Sequence, residues 1–366
     1  MLKQKINEED YNDGYYHLSK DIKDYPDAVF YVVWSRRGPG KTYSGCRYFY
    51  YTDTPFLYMK RTLDDVDFIM KSDEYGVEDR KNPFVPVNRD FGINVLTKST
   101  GKGRGIFYEE KDDLIKAVAH CESLNNVKRL KGFDYTFIDY MWLDEFIPMA
   151  GERISKTEDE QLLSVYMTVL RDRMQRGRPP LKLILTSNTD QISTPITRGL
   201  EILDDMAEMS YYGEHIRYLK DRKILLHHIT DEECPNLMSE DEGIFAAMAG
   251  TQWADKNLLG KFSNVDFSNI IKMNIKKYYP RCICLYQRKA IYIYQHKNNG
   301  AFYLSSLASG KNDHLRVYDL ERDSDQRAFY LDYIFDMKNA LILDKLKSEK
   351  YSYYDMVIQY KQYFDI

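Results

Sequence analysis

SRRGPGKT, residues 35–42, is the stretch from which the rest of this 366-residue chain is read. It fits the phosphate-loop pattern G-x-x-x-x-G-K-[ST] at every fixed position but the first, where Ser35 stands in place of glycine. Such a loop works only between a strand and a helix, because consecutive backbone N–H groups and a helix N-terminus together make the anion cradle. Both flanks are expected here. AVFYVVW (28–34) is a short apolar run, rich in β-branched and aromatic residues, and reads as a buried strand; YSGCRYFYY (43–51) reads as the helix. Gly38 and Gly40 let the loop turn without Cβ clashes. Lys41 has the reach for β- and γ-phosphates, and Thr42 offers a hydroxyl to Mg²⁺. Ser35, Arg36, Arg37, Gly38, Pro39, Gly40, Lys41, Thr42 and Tyr43 are the candidate nucleotide contacts. The competing reading is a turn that happens to contain GKT.

Two further strands converge on the same chemistry. TFIDYMWLDEF (136–146) carries Asp144 and Glu145 to its C-terminal end, where ligands bind in open α/β sheets. Asp144 suits Mg²⁺, and Glu145 suits a general base acting on water. A phosphotransferase has no need of a water-activating glutamate beside the metal carboxylate, whereas a hydrolysing motor does. LKLILTSN (181–188) ends in Thr186, Ser187 and Asn188, polar groups placed to sense the γ-phosphate or the attacking water, or else simply to form a turn. Between these strands, EDEQLLSVYMTVLRDRMQR (158–176) has helical spacing and closes at GRPP. Arg171 and Arg173 lie near its end. Each fits a charge reaching a neighbouring subunit's γ-phosphate, or a solvated cation complementing the helix dipole.

The remaining elements give the architecture. FLYMKR (56–61) reads as a strand, and Thr62 with Asp65 as the cap of a helix. INVLTKSTGKGRGIFYEE reads as a hairpin with Gly101, Gly103 and Gly105 in its turn. Residues 211–229 add a last strand. Strands alternating with helices predict a mainly parallel α/β sheet. Residues 1–229 form this first domain, 230–263 a polar, acidic linker region, and 264–366 a smaller α+β domain in which RCICLYQRKAIYIYQHK supplies antiparallel strands. The net charge is −4, yet residues 264–366 hold 16 Lys and Arg against 12 Asp and Glu, with seven bases and no acid across 272–297. That suits a polyanion partner or a solvated lysine-rich face equally. The five cysteines are scattered and suggest neither a disulfide framework nor a zinc site. The polar N-terminus lacks a signal-peptide core, and no apolar run approaches the ~20 residues that span a bilayer, so a cytoplasmic protein with no membrane partner is expected.

The motifs SRRGPGKT, YMKRT, WLDEFIP, TVLRDR and LILTSN follow the order and contexts found in the DNA-packaging ATPases of small tailed bacteriophages, the DNA encapsidation proteins related to large terminase subunits. The chain resembles this family along nearly its whole length. The resemblance implies a RecA-like ATPase domain of the additional-strand, catalytic-glutamate class, with ATP and Mg²⁺ as cofactors. It also implies a homo-oligomeric ring, taken as a pentamer, docked transiently on the portal of a viral procapsid in the host cytoplasm and driving double-stranded DNA inward. Lys41 and Thr42 match the phosphate and metal contacts, Asp144 the metal acid, Glu145 the catalytic base, Asn188 the coupling motif and Arg171 the trans-acting arginine. The C-terminal domain resembles a ribonuclease-H-like nuclease, but CICLYQRKAIYIY carries no carboxylate, so the expectation is a vestigial domain that touches DNA or the portal without cutting. Lys276, Lys277, Arg288 and Lys289, and Lys128, Arg129 and Lys131 of NVKRLKG, are the candidate DNA contacts. A helicase, a nucleotide kinase and a non-enzymatic portal-associated structural protein are the alternatives.

Overall fold

The structure is a computed structural model; it describes residues 11, 13–71, 81–111, 114–126, 134–149, 151–234, 242–251, 262, 267–308, 310 and 314–359. The chain divides into two compact units, Met1–Ile196 with Tyr212–Ser263, and Thr197–Tyr211 with Asn264–Ile366.

The first unit is built on a nine-stranded sheet. In chain order the strands are β1 (Phe30–Ser35), β2 (Phe56–Lys60), β3 (Leu96–Gly101), β4 (Arg104–Lys111), β5 (Leu114–Ser123), β6 (Tyr140–Asp144), β7 (Lys182–Asn188), β8 (Ile216–Leu219) and β9 (Ile224–His228). They lie side by side in the order β3-β4-β5-β2-β6-β7-β1-β9-β8. The run from β5 to β9 is parallel throughout, and β3, β4 and β8 pair antiparallel at the two edges. Strand β7 thus intervenes between the loop strand β1 and the acidic strand β6. β1, β2, β6 and β9 are buried almost throughout because crossover segments cover both faces of a parallel sheet.

Helix α1 (Leu18–Asp24) precedes β1, and α2 (Lys41–Thr52), α3 (Leu63–Met70), α4 (Val85–Phe91) and α5 (Glu158–Leu170) lie between strands. α3 starts with the expected capping box, Thr62 Oγ1 accepting from Asp65 N at 3.1 Å. α2 lies against β6 so closely that a Cβ on Gly45 would meet the Trp142 ring at 2.4 Å. α1 is fastened from beneath. His227 at the end of β9 directs Nδ1 at Asp21 (2.9 Å) and Nε2 at Glu233 (2.8 Å), and the Tyr16 hydroxyl donates to Asp21 at 2.8 Å. Burial disfavours the charged imidazole, but the two carboxylates outweigh it and push His227 up to about 10.

Several details differ from the sequence reading. β5 was not foreseen, since LIKAVAH lacks clean alternation and its first half is solvent-exposed. Gly105 lies inside β4 rather than in the hairpin turn. β6 starts only at Tyr140, and α5 stops at Leu170 rather than running to 176. The single strand expected over 211–229 is the hairpin of β8 and β9.

The second unit contains a five-stranded sheet ordered β13-β10-β11-β12-β14, made of β10 (Tyr278–Tyr286), β11 (Lys289–His296), β12 (Phe302–Ser305), β13 (Arg316–Asp319) and β14 (Leu346–Ser348). β10, β11 and β12 are antiparallel, as expected, with β13 and β14 added in parallel at the edges. Residues 197–211 join this unit through Asp204, which accepts from Ser352 N at 2.7 Å, and through Tyr211 stacked on Phe267. Tyrosines fill much of the core, among them Tyr294, Tyr303, Tyr318 and Tyr354. All five cysteines are free and buried.

Two measurements check this packing. Gly45→Ala forces a methyl into the Trp142 indole and is expected to cost about 1–3 kcal/mol, read as a lower Tm. A folded-state pKa raised above 6.5 stabilises the fold fully below that value and loses its effect as pH rises toward about 10. The stability gap between wild type and His227→Gln in urea titrations should therefore shrink from pH 6 to pH 10. A constant gap would mean that the buried ring is neutral.

Candidate active site

Helix α2 begins at Lys41, directly after Gly40, whose φ of 85° is a left-handed conformation that favours glycine; Gly38, at 106°, is positive as well. The first N–H groups of α2 have no partner within the helix, so the loop presents donors and the positive end of a dipole. An N-terminal strap not foreseen from the sequence holds the loop in place. Tyr16 N donates to Pro39 O (2.9 Å), Leu18 N donates to Ser44 Oγ (2.7 Å), and the Tyr15 ring lies 3.7 Å from where a Cβ on Gly40 would sit.

Lys41 is buried and folded back. Its Nζ donates to Ser35 Oγ, to Arg36 O at 3.1 Å and to Asn188 Oδ1 at 3.2 Å. Burial pushes this amine down to about 7, against the pull of Asp144 and Glu145. The register that pairs Ser35 with Asn188 across β1 and β7 brings the first loop residue and the last TSN residue to one ammonium.

Asp144 is the hub. It is 4% exposed and ends the apolar strand β6. Oδ2 accepts from Thr42 Oγ1 (3.2 Å), Tyr58 OH (2.9 Å) and Lys60 Nζ (3.1 Å), and Oδ1 accepts from Thr186 Oγ1 (2.7 Å). Thr186 in turn accepts from Trp142 Nε1 at 2.7 Å. Burial alone would raise the Asp144 carboxyl, but Lys60 and the hydroxyl donors hold it below the usual range. The Thr42 hydroxyl and the Asp144 carboxylate are hard oxygen donors within hydrogen-bond distance of each other, a pair that fits Mg²⁺.

Glu145 follows with φ of 60°, unusual for a residue with a side chain, and its carboxylate is 62% exposed. Hydrogen bonds to the TSN strand fix this turn: Phe146 N donates to Thr186 O and Ile147 N to Ser187 Oγ. The Glu145 carboxylate itself accepts from Lys60 Nζ at 2.9 Å.

The sequence motifs alone assign no role to Lys60 or Tyr58. The signal was present, because a lysine closing the apolar strand FLYMK must meet a carboxylate if the strand is central. Arg61 beside it is also buried. It donates to Glu158 Oε1 (2.9 Å) and Glu152 Oε2 (2.6 Å), so it clamps the first residue of α5.

The structure separates the remaining candidates. Arg36 turns to Asp231 (2.6 Å), Arg37 is exposed with Nη2 3.3 Å from Met149 Sδ, and the Tyr43 hydroxyl donates to Asp90. Arg171 caps α5 and is 79% exposed, 3.8 Å from Asp172. Arg173 is locked, donating to Pro179 O, Ile138 O and Asp139 Oδ1. These bonds draw the chain out of helical geometry, which is why α5 ends early. In the second unit, exposed Lys276 and Lys277 precede β10, while Arg288 and Lys289 lie at the far end of the same hairpin, ~30 Å away for nine residues of strand. Lys289 pairs with Glu201 at 3.1 Å. The four bases therefore form two groups rather than one patch. Lys128, Arg129 and Lys131 lie outside the described residues.

The two arginines are expected to behave differently. Arg173→Ala strands Asp139 and two carbonyls and should cost about 3–5 kcal/mol in denaturant unfolding. Arg171→Ala should change stability by no more than about 0.5 kcal/mol.

No protein-family model matches the sequence, and no curated protein matches it. Solved structures do. A chain of the bacteriophage Phi-29 viral genome packaging motor assembly is 16% identical, with 95% of this chain and 97% of that one covered and a TM-score of 0.61. A chain of the Phi-28 gp11 DNA packaging motor is 15% identical, with 92% and 94% covered and a TM-score of 0.55. The chain has the fold of these phage packaging-motor proteins over nearly its whole described length.

Proposed function

We propose that this chain is an ATP-driven motor subunit that moves double-stranded viral DNA into a preformed capsid, and that its first unit is a RecA-like phosphate-loop ATPase. The observation that carries the reading is the convergence on Asp144 of Thr42 from the phosphate-loop helix, Lys60 from β2 and Thr186 from the TSN strand, with Glu145 exposed beside it. The intervening position of β7 agrees with the additional-strand class. A turn that merely happened to read GKT would have no reason to place its threonine on a buried carboxylate 102 residues away.

In this reading the N–H groups at the start of α2 and the Lys41 ammonium hold the triphosphate. A lysine pushed down to about 7 by burial recovers its full charge against phosphate. Thr42 and Asp144 hold Mg²⁺, which when bound neutralises charge on the β- and γ-phosphates. Glu145 takes the proton of the attacking water. Its open position serves that role, and release from Lys60 frees its oxygen to do so. Asn188, already on the Lys41 amine, passes the state of the phosphate site to β7. Arg171 supplies its charge to a neighbouring copy in a homo-oligomeric ring, pentameric and docked on the capsid portal. The second unit is a vestigial nuclease-like domain in which Lys276 and Lys277, beside Lys297, grip the DNA backbone without reading bases.

Mg-ATP hydrolysis by the full chain should rise with duplex DNA more than with single strands, and DNA binding should weaken steeply with salt. Glu145→Gln should keep binding a fluorescent ATP analogue while turnover falls by about 10²-fold or more. Unchanged turnover would remove Glu145 from the mechanism.

A further inference from the structure

We infer that a cavity at the C-terminal end of α2 is a binding site for a small planar organic cation, an aromatic amidinium or a protonated amino-heteroaromatic ring. The cavity measures about 310 Å³ and lies within the first unit. The last turn of α2, the start of β2, the middle of β5 and the residues just before β6 bound it. Its volume falls in the range of small-molecule sites. The phosphate loop lies at the other end of α2, about 18 Å away for twelve residues of helix. The two sites are therefore separate, and nothing in the cavity depends on what the loop binds.

Rings and small side chains set the shape. Phe49 and Phe56, both buried and stacked at 4.3 Å, give an apolar floor. His120 and Phe137, with ring centroids 5.4 Å apart, add a second aromatic wall, and Phe137 is 39% exposed. β5 contributes Ala117 and Ala119, whose short side chains leave the space open. A flat ring packs well against such aromatic faces and edges.

Polar groups around the same volume set the charge. Asp53 and Glu109 supply two carboxylates against one ammonium, that of Lys116. Burial and the nearby Arg104 push His120 below the usual imidazole value, so its ring is neutral at pH 7. The lining is therefore net negative and favours a cation. Lys116 Nζ donates to Asp53 at 2.7 Å, but both side chains are more than half exposed, and such a pair opens at little cost. Glu109 Oε1 accepts from the Tyr50 hydroxyl at 2.6 Å. Among the described residues, Glu109 Oε2 and both His120 ring nitrogens have no hydrogen-bond partner. A wholly apolar ligand would strand these groups, and an anion would meet the carboxylates. A planar amidinium presents two N–H donors in a fork that fits a carboxylate, while its ring lies against the aromatic wall.

The test titrates benzamidine, an aromatic amidinium, and benzamide, its neutral isostere, into the full chain by calorimetry. Benzamidine should bind about tenfold more tightly than benzamide or better, the advantage of charge-assisted over neutral hydrogen bonds. Glu109→Gln keeps an acceptor for Tyr50 but removes the charge, and should erase that preference. Ala117→Leu fills the space from an exposed strand position and should remove binding, with melting curves showing that both variants are folded. Lys41→Ala, at the other end of α2, should leave benzamidine binding as in wild type. Equal binding of the two probes would overturn the assignment, as would benzamidine binding that survives both Glu109→Gln and Ala117→Leu, or no binding at millimolar concentration. Loss of binding in Lys41→Ala would put the probe in the phosphate site and overturn it equally.

Discussion

The ammonium of Lys60 sits between Asp144 Oδ2 and Glu145 Oε2, and the first unit is arranged around that contact. Asp144 ends an apolar strand deep in the sheet, where an unpaired carboxylate would be expelled or protonated. Lys60, 8% exposed, pays for that burial and is itself tolerated only because two carboxylates meet it. Burial alone would discharge this lysine, yet the pair of acids keeps it charged more firmly than a lysine in water. The other donors to Asp144 come from α2, β2 and β7. The two neighbours of β6 in the sheet, β2 and β7, and the helix after the loop thus meet at one carboxylate.

Lys60 and Arg61 are consecutive, and their side chains engage different partners at the tip of β2. Lys60 meets the acids beside the phosphate loop, while Arg61 meets Glu152 and Glu158 and so holds the start of α5. A two-residue step thus joins the acidic turn to a helix whose far end displays Arg171. The network is contiguous and mostly buried, and a charge change at Asp144 or Glu145 is felt first by Lys60. Breaking a buried pair of this kind costs far more than losing an exposed one, so the Arg61–Glu158 contact keeps its geometry while the exposed Glu145 carboxylate remains free to leave.

Much of this was legible in the chain. The strand–loop–helix around SRRGPGKT, the acidic strand and the TSN strand each announced themselves by an apolar run ending in polar groups, and the structure brings those ends together. What stayed hidden depends on pairing between distant segments. FLYMK shows a lysine at a strand end, but its partners lie 84 and 85 residues on. VLRDR shows two arginines of equal standing; contacts with Pro179 O, Ile138 O and Asp139 make Arg173 a structural group, whereas Arg171 is exposed. The N-terminal strap was opaque because NDGYYHL has no periodicity, and its order comes from Pro39, Ser44 and His227. The basic run of the second unit misled in another way: charge counted along a hairpin says nothing of its length, and the strands carry Lys276 and Arg288 to opposite ends.

Ser35, the departure from the usual pattern, has a physical role in this arrangement. The residue is fully buried at the end of β1, with its backbone set by pairing to Asn188, so that position does not require the freedom of glycine. Its hydroxyl donates to Arg36 O at 2.6 Å and accepts from the Lys41 ammonium. A buried lysine without phosphate needs somewhere to place its protons, and a glycine would leave only Arg36 O and Asn188 Oδ1 to receive them. The serine completes a resting berth at the foot of the loop. Ser35 and Arg36 supply two of the three acceptors from within the loop, and Asn188 of β7 supplies the third. On the proposed reading, a phosphate at α2 would compete with that berth for Lys41, and Asn188, which shares it, would lose a partner.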